Sequence, residues 1–247
     1  MRDGVLVALE TSGPVASVAV GRDGMVAARR FLSDRGRHAG GLFPALAAIL
    51  AETGIDRRQL GGVVVGAGPG SFTGVRVGAA AAKGLVHALG VPLYPVSSLA
   101  GAAVAEQAIP AGAWPGTGVG PDPPPRATAG DRVVAFDARG DRLFTGTYRL
   151  GDGPLQTLSP PAFRRLSELL EDPGLTGIPL CGDGALRHAA VLEGAGRTVL
   201  PPPAGHPSAD GLLQVVFRSP DREPIRDSGE WVPDYLRATG AERGLGG

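Results

Sequence analysis

Val63-Val64-Val65 runs straight into Gly66-Ala67-Gly68-Pro69-Gly70-Ser71-Phe72-Thr73-Gly74-Val75-Arg76-Val77-Gly78, and an Ala-rich segment follows to Gly90. A short apolar β-branched run, a glycine turn and a helix in that order make a strand–loop–helix unit of an α/β protein. The loop brings backbone N–H groups to a helix N-terminus, which suits an anion or close backbone contact with a partner. Two familiar glycine-loop chemistries fail on spacing. A P-loop closes on Gly-Lys-Ser/Thr, but Gly74 is followed by Val75, and Lys83 lies two turns into the helix. A dinucleotide fingerprint begun at Gly66 or Gly68 requires a third glycine where Ser71 or Thr73 stands.

The helix after the loop divides into two faces. Val75, Ala79, Ala82, Val86 and Leu89 recur at helical spacing as a core stripe, and Gly74, Gly78, Ala81 and Leu85 form a second face of mostly small residues. Small residues let another helix approach closely, either within the same lobe or from another protein, and spacing alone leaves both open. Upstream, Val5–Glu10, Ala16–Val20 and Met25–Phe31 read as a strand meander with turns at Gly13-Pro14 and Gly21-Arg22-Asp23-Gly24. A helix is expected over His38–Thr53, with Leu42, Leu46, Ile49 and Thr53 on one face and Gly54 as its stop.

Downstream, Val91–Pro95 is a short strand and Ser97–Gln107 a helical pattern. Half of the 22 residues from 109 to 130 are Gly or Pro, so this stretch reads as a linker or excursion rather than core. The pattern then restarts. Arg132–Phe136 and Arg142–Tyr148 are hairpin strands joined through Asp137-Ala138-Arg139-Gly140; Phe163–Glu171 is amphipathic, Ile178–Cys181 is a strand, and a helix begins near Ala185. The expected architecture is α/β in two lobes, residues 1–108 and 131–247 on either side of the linker, each a mixed sheet flanked by helices.

Bulk composition narrows the function. With 24 basic against 24 acidic residues and 5% aromatics, the chain lacks the profile of a strong solo nucleic-acid binder. A single cysteine excludes an internal disulfide, and no apolar run approaches a membrane span, so the expected setting is cytoplasmic. The four histidines, His38, His87, His188 and His206, form no pair at zinc-site spacing, and Cys181 has no partner, so no metal site is expected. Ser71 does not sit in a Gly-x-Ser-x-Gly elbow. Two polar turns, Glu10-Thr11-Ser12-Gly13 and Asp137-Ala138-Arg139-Gly140, occupy corresponding places in the two halves. Paired turns of this kind can hold nucleotide phosphates and Mg²⁺ between lobes, or be simple hairpin turns.

Across most of its length the chain resembles the TsaB (YeaZ) family. The resemblance rests on Leu9-Glu10-Thr11-Ser12, on His38 with Leu42-Phe43-Pro44, and above all on Gly68 to Gly78. It continues through Ala82-Lys83-Gly84-Leu85, Pro95-Val96-Ser97-Ser98-Leu99, Asp137-Ala138-Arg139, Gly182-Asp183-Gly184 and Pro233-Asp234-Tyr235-Leu236-Arg237. It implies two ribonuclease-H-like lobes of the actin/Hsp70 (ASKHA) architecture. It also implies a non-catalytic dimerization subunit that pairs with the paralogue TsaD in threonylcarbamoylation of tRNA adenosine beside the anticodon. The ATPase TsaE joins, tRNA is met through the complex, and ATP or ADP enters only there. Pairing would use the two first-lobe helices through Leu42, Leu46, Gly74, Gly78, Ala81 and Leu85, with homodimers when TsaD is absent. Glu10, Thr11 and Asp137 are the positions for any nucleotide contact, and Glu10 departs from the family's more frequent Asp. Where TsaD carries metal-binding histidines, this chain has Ser98 and Ala102, and neither side chain replaces imidazole as a ligand. The competing reading is a stand-alone actin-like kinase or a peptidase.

Overall fold

In the computed structural model, which describes residues 4–32, 38–105 and 129–234, the meander is β1 (Val5–Glu10), β2 (Ala16–Arg22) and β3 (Met25–Leu32). The β2–β3 turn places Asp23 and Gly24 at positive φ, the backbone that a two-residue hairpin requires. β4 (Leu60–Gly66) lies parallel to β1, with Leu9 opposite Val65, and β5 (Leu93–Val96) lies parallel to β4. The resulting order is β3-β2-β1-β4-β5. β1 and β4 are central and buried on both faces, which is why they read as unbroken apolar runs.

The second half repeats this plan. β6 (Gly130–Asp137), β7 (Arg142–Leu150) and β8 (Gln156–Arg165) form a meander, and β9 (Leu180–Cys181) pairs parallel with β6, giving β8-β7-β6-β9. The fifth strand position shrinks to one parallel bridge between Leu180 and Val199. Two ribonuclease-H-like units of the ASKHA architecture thus stand in tandem. Phe163–Glu171 is not one amphipathic element: Phe163 to Arg165 end β8, and α4 (Leu166–Glu171) begins after them. Phe163 is drawn into the sheet by its cross-strand partner Phe144, the ring centroids 5.5 Å apart.

Helices arrange these sheets in layers. α1 (His38–Thr53) and α2 (Phe72–Leu89) pack on one face of the first sheet; α4, α5 (Asp183–Arg187) and α6 (Ala189–Gly194) lie with the second. Between the sheets lie α3 (Ser98–Val104) and α7 (Ala209–Phe217), crossed against each other. α3, from the first half, packs on β6 and β7. α7, from the second half, packs on β1 to β5. The chain then returns to the first sheet, where Ile225 exchanges two backbone hydrogen bonds with Leu93 and Asp234 N–H donates to the Ala67 carbonyl. The expected boundary at 108/131 therefore divides the sequence but not the packing, because α7 and residues 222–234 complete the first lobe. Of the expected linker 109–130, all but its last two residues lies outside the described residues. Among the described residues, no helix is long and apolar enough to cross a membrane.

Candidate functional site

The glycine loop is packed into its own lobe. Ala67 N–H donates to the Val96 carbonyl at 2.7 Å, Ser71 N–H to the Ser12 carbonyl at 2.8 Å, and the Ser71 hydroxyl accepts from Gly74 N–H as the α2 N-cap. The Gly68 carbonyl accepts from Ser98 N–H at 2.8 Å. Thr11 joins this loop to the helix, its hydroxyl donating to the Gly74 carbonyl at 2.7 Å. These bonds tie the loop into its lobe and fix the start of α2.

This contact decides where the expected interface residues fall. A Cβ on Gly74 would lie 2.0 Å from the Thr11 carbonyl oxygen, and one on Gly78 would lie 2.4 Å from Thr11 Oγ1. The small-residue face of α2 is turned inward, against the β1–β2 turn. Leu42, Leu46 and Ala81 are buried in the core beneath the two helices, and Leu85 packs partly buried against it. What α1 and α2 show to solvent is a different stripe. On α1 it comprises Gly40, Phe43, Pro44, Ala47, Ala51 and Glu52; on α2 it comprises Phe72, Thr73, Arg76, Ala80, Gly84, His87 and Ala88. Phe43 is 48% and Phe72 45% exposed, large values for rings on neighbouring helices. Glu52, near the end of α1, is paired with Arg30, and the Arg76 guanidinium stacks 3.8 Å over the Phe72 ring. Sequence reasoning missed this stripe although the spacing of four through 72, 76, 80 and 84 carried its signal.

The two acidic turns hold their carboxylates in different ways. Glu10 is fully buried, with Oε1 accepting from Ser12 N–H at 2.7 Å. Burial pushes its pKa up, partly offset by hydrogen bonds from Ser12 and Ser98. Asp137 is held by Arg187 at 2.6 Å and accepts from Arg139 N–H, while its own N–H donates to Asp183. A Mg²⁺–phosphate site needs ionised carboxylates open to the cleft. Glu10 is enclosed and Asp137 is paired, so these residues do not fit that group. Across the cleft, Gly13 presses on Pro207, which a Cβ would approach to 2.5 Å.

Other reactive groups are similarly enclosed. Cys181 is buried, its thiol pushed up to about 12 by burial, and its Sγ–H donates to the Val133 carbonyl. Ser98 and Ala102 are both fully buried in α3. Among the described residues, no three His, Cys, Asp or Glu side chains cluster to hold a metal.

Comparison with known proteins sets this geometry in context. A family model described as TsaD, tRNA N6-adenosine threonylcarbamoyltransferase, matches residues 33–205. An uncharacterized protein of Mycobacterium tuberculosis is 32% identical over 239 residues, 96% of this chain and 93% of its own. The tRNA threonylcarbamoyladenosine biosynthesis protein TsaB of Bacillus subtilis is 27% identical over 243 residues, 96% of each chain. The solved structure of YeaZ from Pseudomonas aeruginosa superposes with a TM-score of 0.71 at 26% identity, covering 94% of this chain and all of that one.

Proposed function

The chain belongs to the TsaD threonylcarbamoyltransferase family, as a member of its TsaB (YeaZ) branch, and on that premise we propose that it is the non-catalytic subunit pairing with a TsaD-type paralogue. Its role is in tRNA threonylcarbamoyladenosine biosynthesis. The observation that carries the pairing is the outward stripe on α1 and α2, with two half-exposed phenylalanines and small residues between them. Such a face suits two helices of a partner, with Phe43 and Phe72 as anchors and Ala47, Ala80 and Gly84 allowing close approach. The chemistry supports the non-catalytic part. Ser98 and Ala102 offer no imidazole, Cys181 is an enclosed neutral thiol, and neither acidic turn suits Mg²⁺–nucleotide. The chain accordingly binds no ATP or ADP alone. TsaE and tRNA are met through the complex, in the cytoplasm, and the same face forms a homodimer when TsaD is absent.

The test is threonylcarbamoylation of tRNA in a mixture of TsaD, TsaE, the adenylate-forming enzyme, ATP, threonine and bicarbonate, with and without this chain. Modification is expected to vanish on omission and to be absent with this chain alone; full modification without it would sink the reading. Ala80→Arg, on the exposed stripe, should weaken pairing by about a hundredfold or more while the fold persists. The stand-alone kinase reading predicts ATP turnover by the pure chain that Asp137→Ala removes.

A further inference from the structure

The proposed partner face spans two helices, so their relative height above the sheet decides whether both can be touched at once. α1 is anchored by Leu42, Leu46 and Ile49, all buried in the core beneath it. α2 is likewise buried along Val75, Ala79, Ala82 and Val86, and its first two turns carry a further contact. Its Gly74 and Gly78 rest on a single residue, Thr11, which is buried at the end of β1. The Thr11 hydroxyl donates to the Gly74 carbonyl at 2.7 Å, and its own carbonyl occupies the space a Gly74 Cβ would need. At Gly78 the obstacle is the hydroxyl itself, 2.4 Å from the Cβ position. The next nearest atoms, Thr11 Cβ and Cγ2, lie at 3.6 and 3.7 Å, ordinary contact distances. A methyl group at 78 therefore meets one oxygen and nothing else. A methyl there breaks the bond that ties Thr11 to the Gly74 carbonyl, whether the hydroxyl turns away or α2 moves outward, and only the second changes the partner face.

We infer that Gly74 and Gly78 are positioning residues: by leaving room for Thr11 they set the height of α2, and through it the fit of the α1–α2 face to a TsaD-type partner. This rests on the pairing reading above. Neither glycine touches the partner, and each acts through Phe72, Arg76 and Ala80 on the outer side of the same helix. The interaction is a contact of the β1–β2 turn with a helix, so the turn serves as a stop for α2.

The experiment measures the dissociation constant for purified TsaD-type paralogue, with thermal unfolding of each variant alongside. Gly78→Ala should stay folded yet bind about tenfold more weakly. Thr11→Ala, which removes the obstructing oxygen and its bond to the helix, should change affinity by about threefold or less, and Thr11→Ser should match the native chain. The double variant Thr11→Ala/Gly78→Ala should bind as Thr11→Ala does, because the methyl then meets only ordinary contacts. Native affinity in Gly78→Ala overturns the inference, as does a double variant in which the two losses multiply. A Gly78→Ala chain that does not fold also overturns it, since the helix then fails to ride outward. Failure of the native chain to bind the paralogue overturns the pairing reading itself, an outcome distinct from native affinity in the variants.

Discussion

Glu10 and His206 are buried titratable groups whose ordinary pKa values conflict with where the fold puts them. Burial raises the Glu10 pKa, so the folded chain holds that proton more tightly than the unfolded chain does. Its contribution to stability is complete below the unfolded value near 4.5 and is lost as pH rises through the raised folded value. Glu10→Gln keeps an oxygen for Ser12 N–H and removes the ionisation. The variant should be stabilised by roughly 1–3 kcal/mol at pH 7.5 and by nothing measurable at pH 4, read from urea denaturation at both values. Equal effects at the two pH values would contradict this account. His206 pulls the other way. Burial pushes it down to about 3, so its contribution is complete above the unfolded value of 6.5 and is lost as pH falls toward 3. His206→Gln should flatten the acid limb of the stability profile across that window, by on the order of 4 kcal/mol at its foot. Neither shift was legible in the sequence. Glu10 reads as part of a polar turn, because nothing in Leu9-Glu10-Thr11 shows that Gly66 lies directly over its carboxyl, whose oxygens would sit within 2.7 Å of a Cβ there.

Elements with local periodicity were readable and elements stabilised from a distance were not. β1 and α1 fall where the residues place them, Val5–Glu10 and His38–Thr53, because each carries its own pattern of burial. β8 is not legible as a strand, and its last three residues fall inside the amphipathic stretch Phe163–Glu171, because its ordering comes from β7 rather than from alternation in Gln156–Arg165, all of it exposed or half-buried. The inward turn of Gly74 and Gly78 was also hidden, since small residues look alike whether they face a partner or Thr11. Residues 222–234 were the least readable. They have no period, and their partners lie far back in the chain: Leu93 for Ile225, Pro95 for Arg222, and Lys83, whose ammonium donates to the Gly229 carbonyl. This segment satisfies the Leu93 N–H and C=O on the open edge of β5, an edge that would otherwise invite another strand. Ile225→Pro removes the N–H that donates to the Leu93 carbonyl at 2.7 Å and should cost about 1–3 kcal/mol in chemical denaturation. Ile225→Val keeps that donor and most of the packing and should cost under about 1 kcal/mol. A similar loss in both variants would mean that side-chain packing, not the backbone pair, holds the segment.

At the scale of the molecule the two lobes share one core. Leu6, Ala8 and Val64 of the first sheet join Phe136, Phe144 and Tyr148 of the second through Leu99 on α3 and Leu212 and Leu213 on α7. Each sheet thus borrows the helix that covers its inner face from the other half of the sequence, and neither half can bury that face alone. The two helices meet at glycines. A Cβ on Gly211 would lie 2.3 Å from the Gly101 carbonyl oxygen, whereas one on Gly101 would meet the Leu212 Cδ2 at 2.7 Å. Backbone cannot yield as a leucine terminus can, so the two substitutions should differ. Gly211→Ala should cost about 2–3 kcal/mol and Gly101→Ala about 1 kcal/mol. Because the core is common, the loss should appear in both lobes at once. Cys181, the only cysteine, reports the second lobe by its labelling rate, and Trp231, packed on the first-lobe core, reports the first by fluorescence once Trp114 is replaced by Phe. The two probes should trace a single transition in urea, and Gly211→Ala should move both midpoints together. Midpoints that separate would show lobes that unfold independently. A single midpoint fits a chain whose lobes are clamped about α3 and α7, and which offers a partner one fixed surface rather than a cleft that opens.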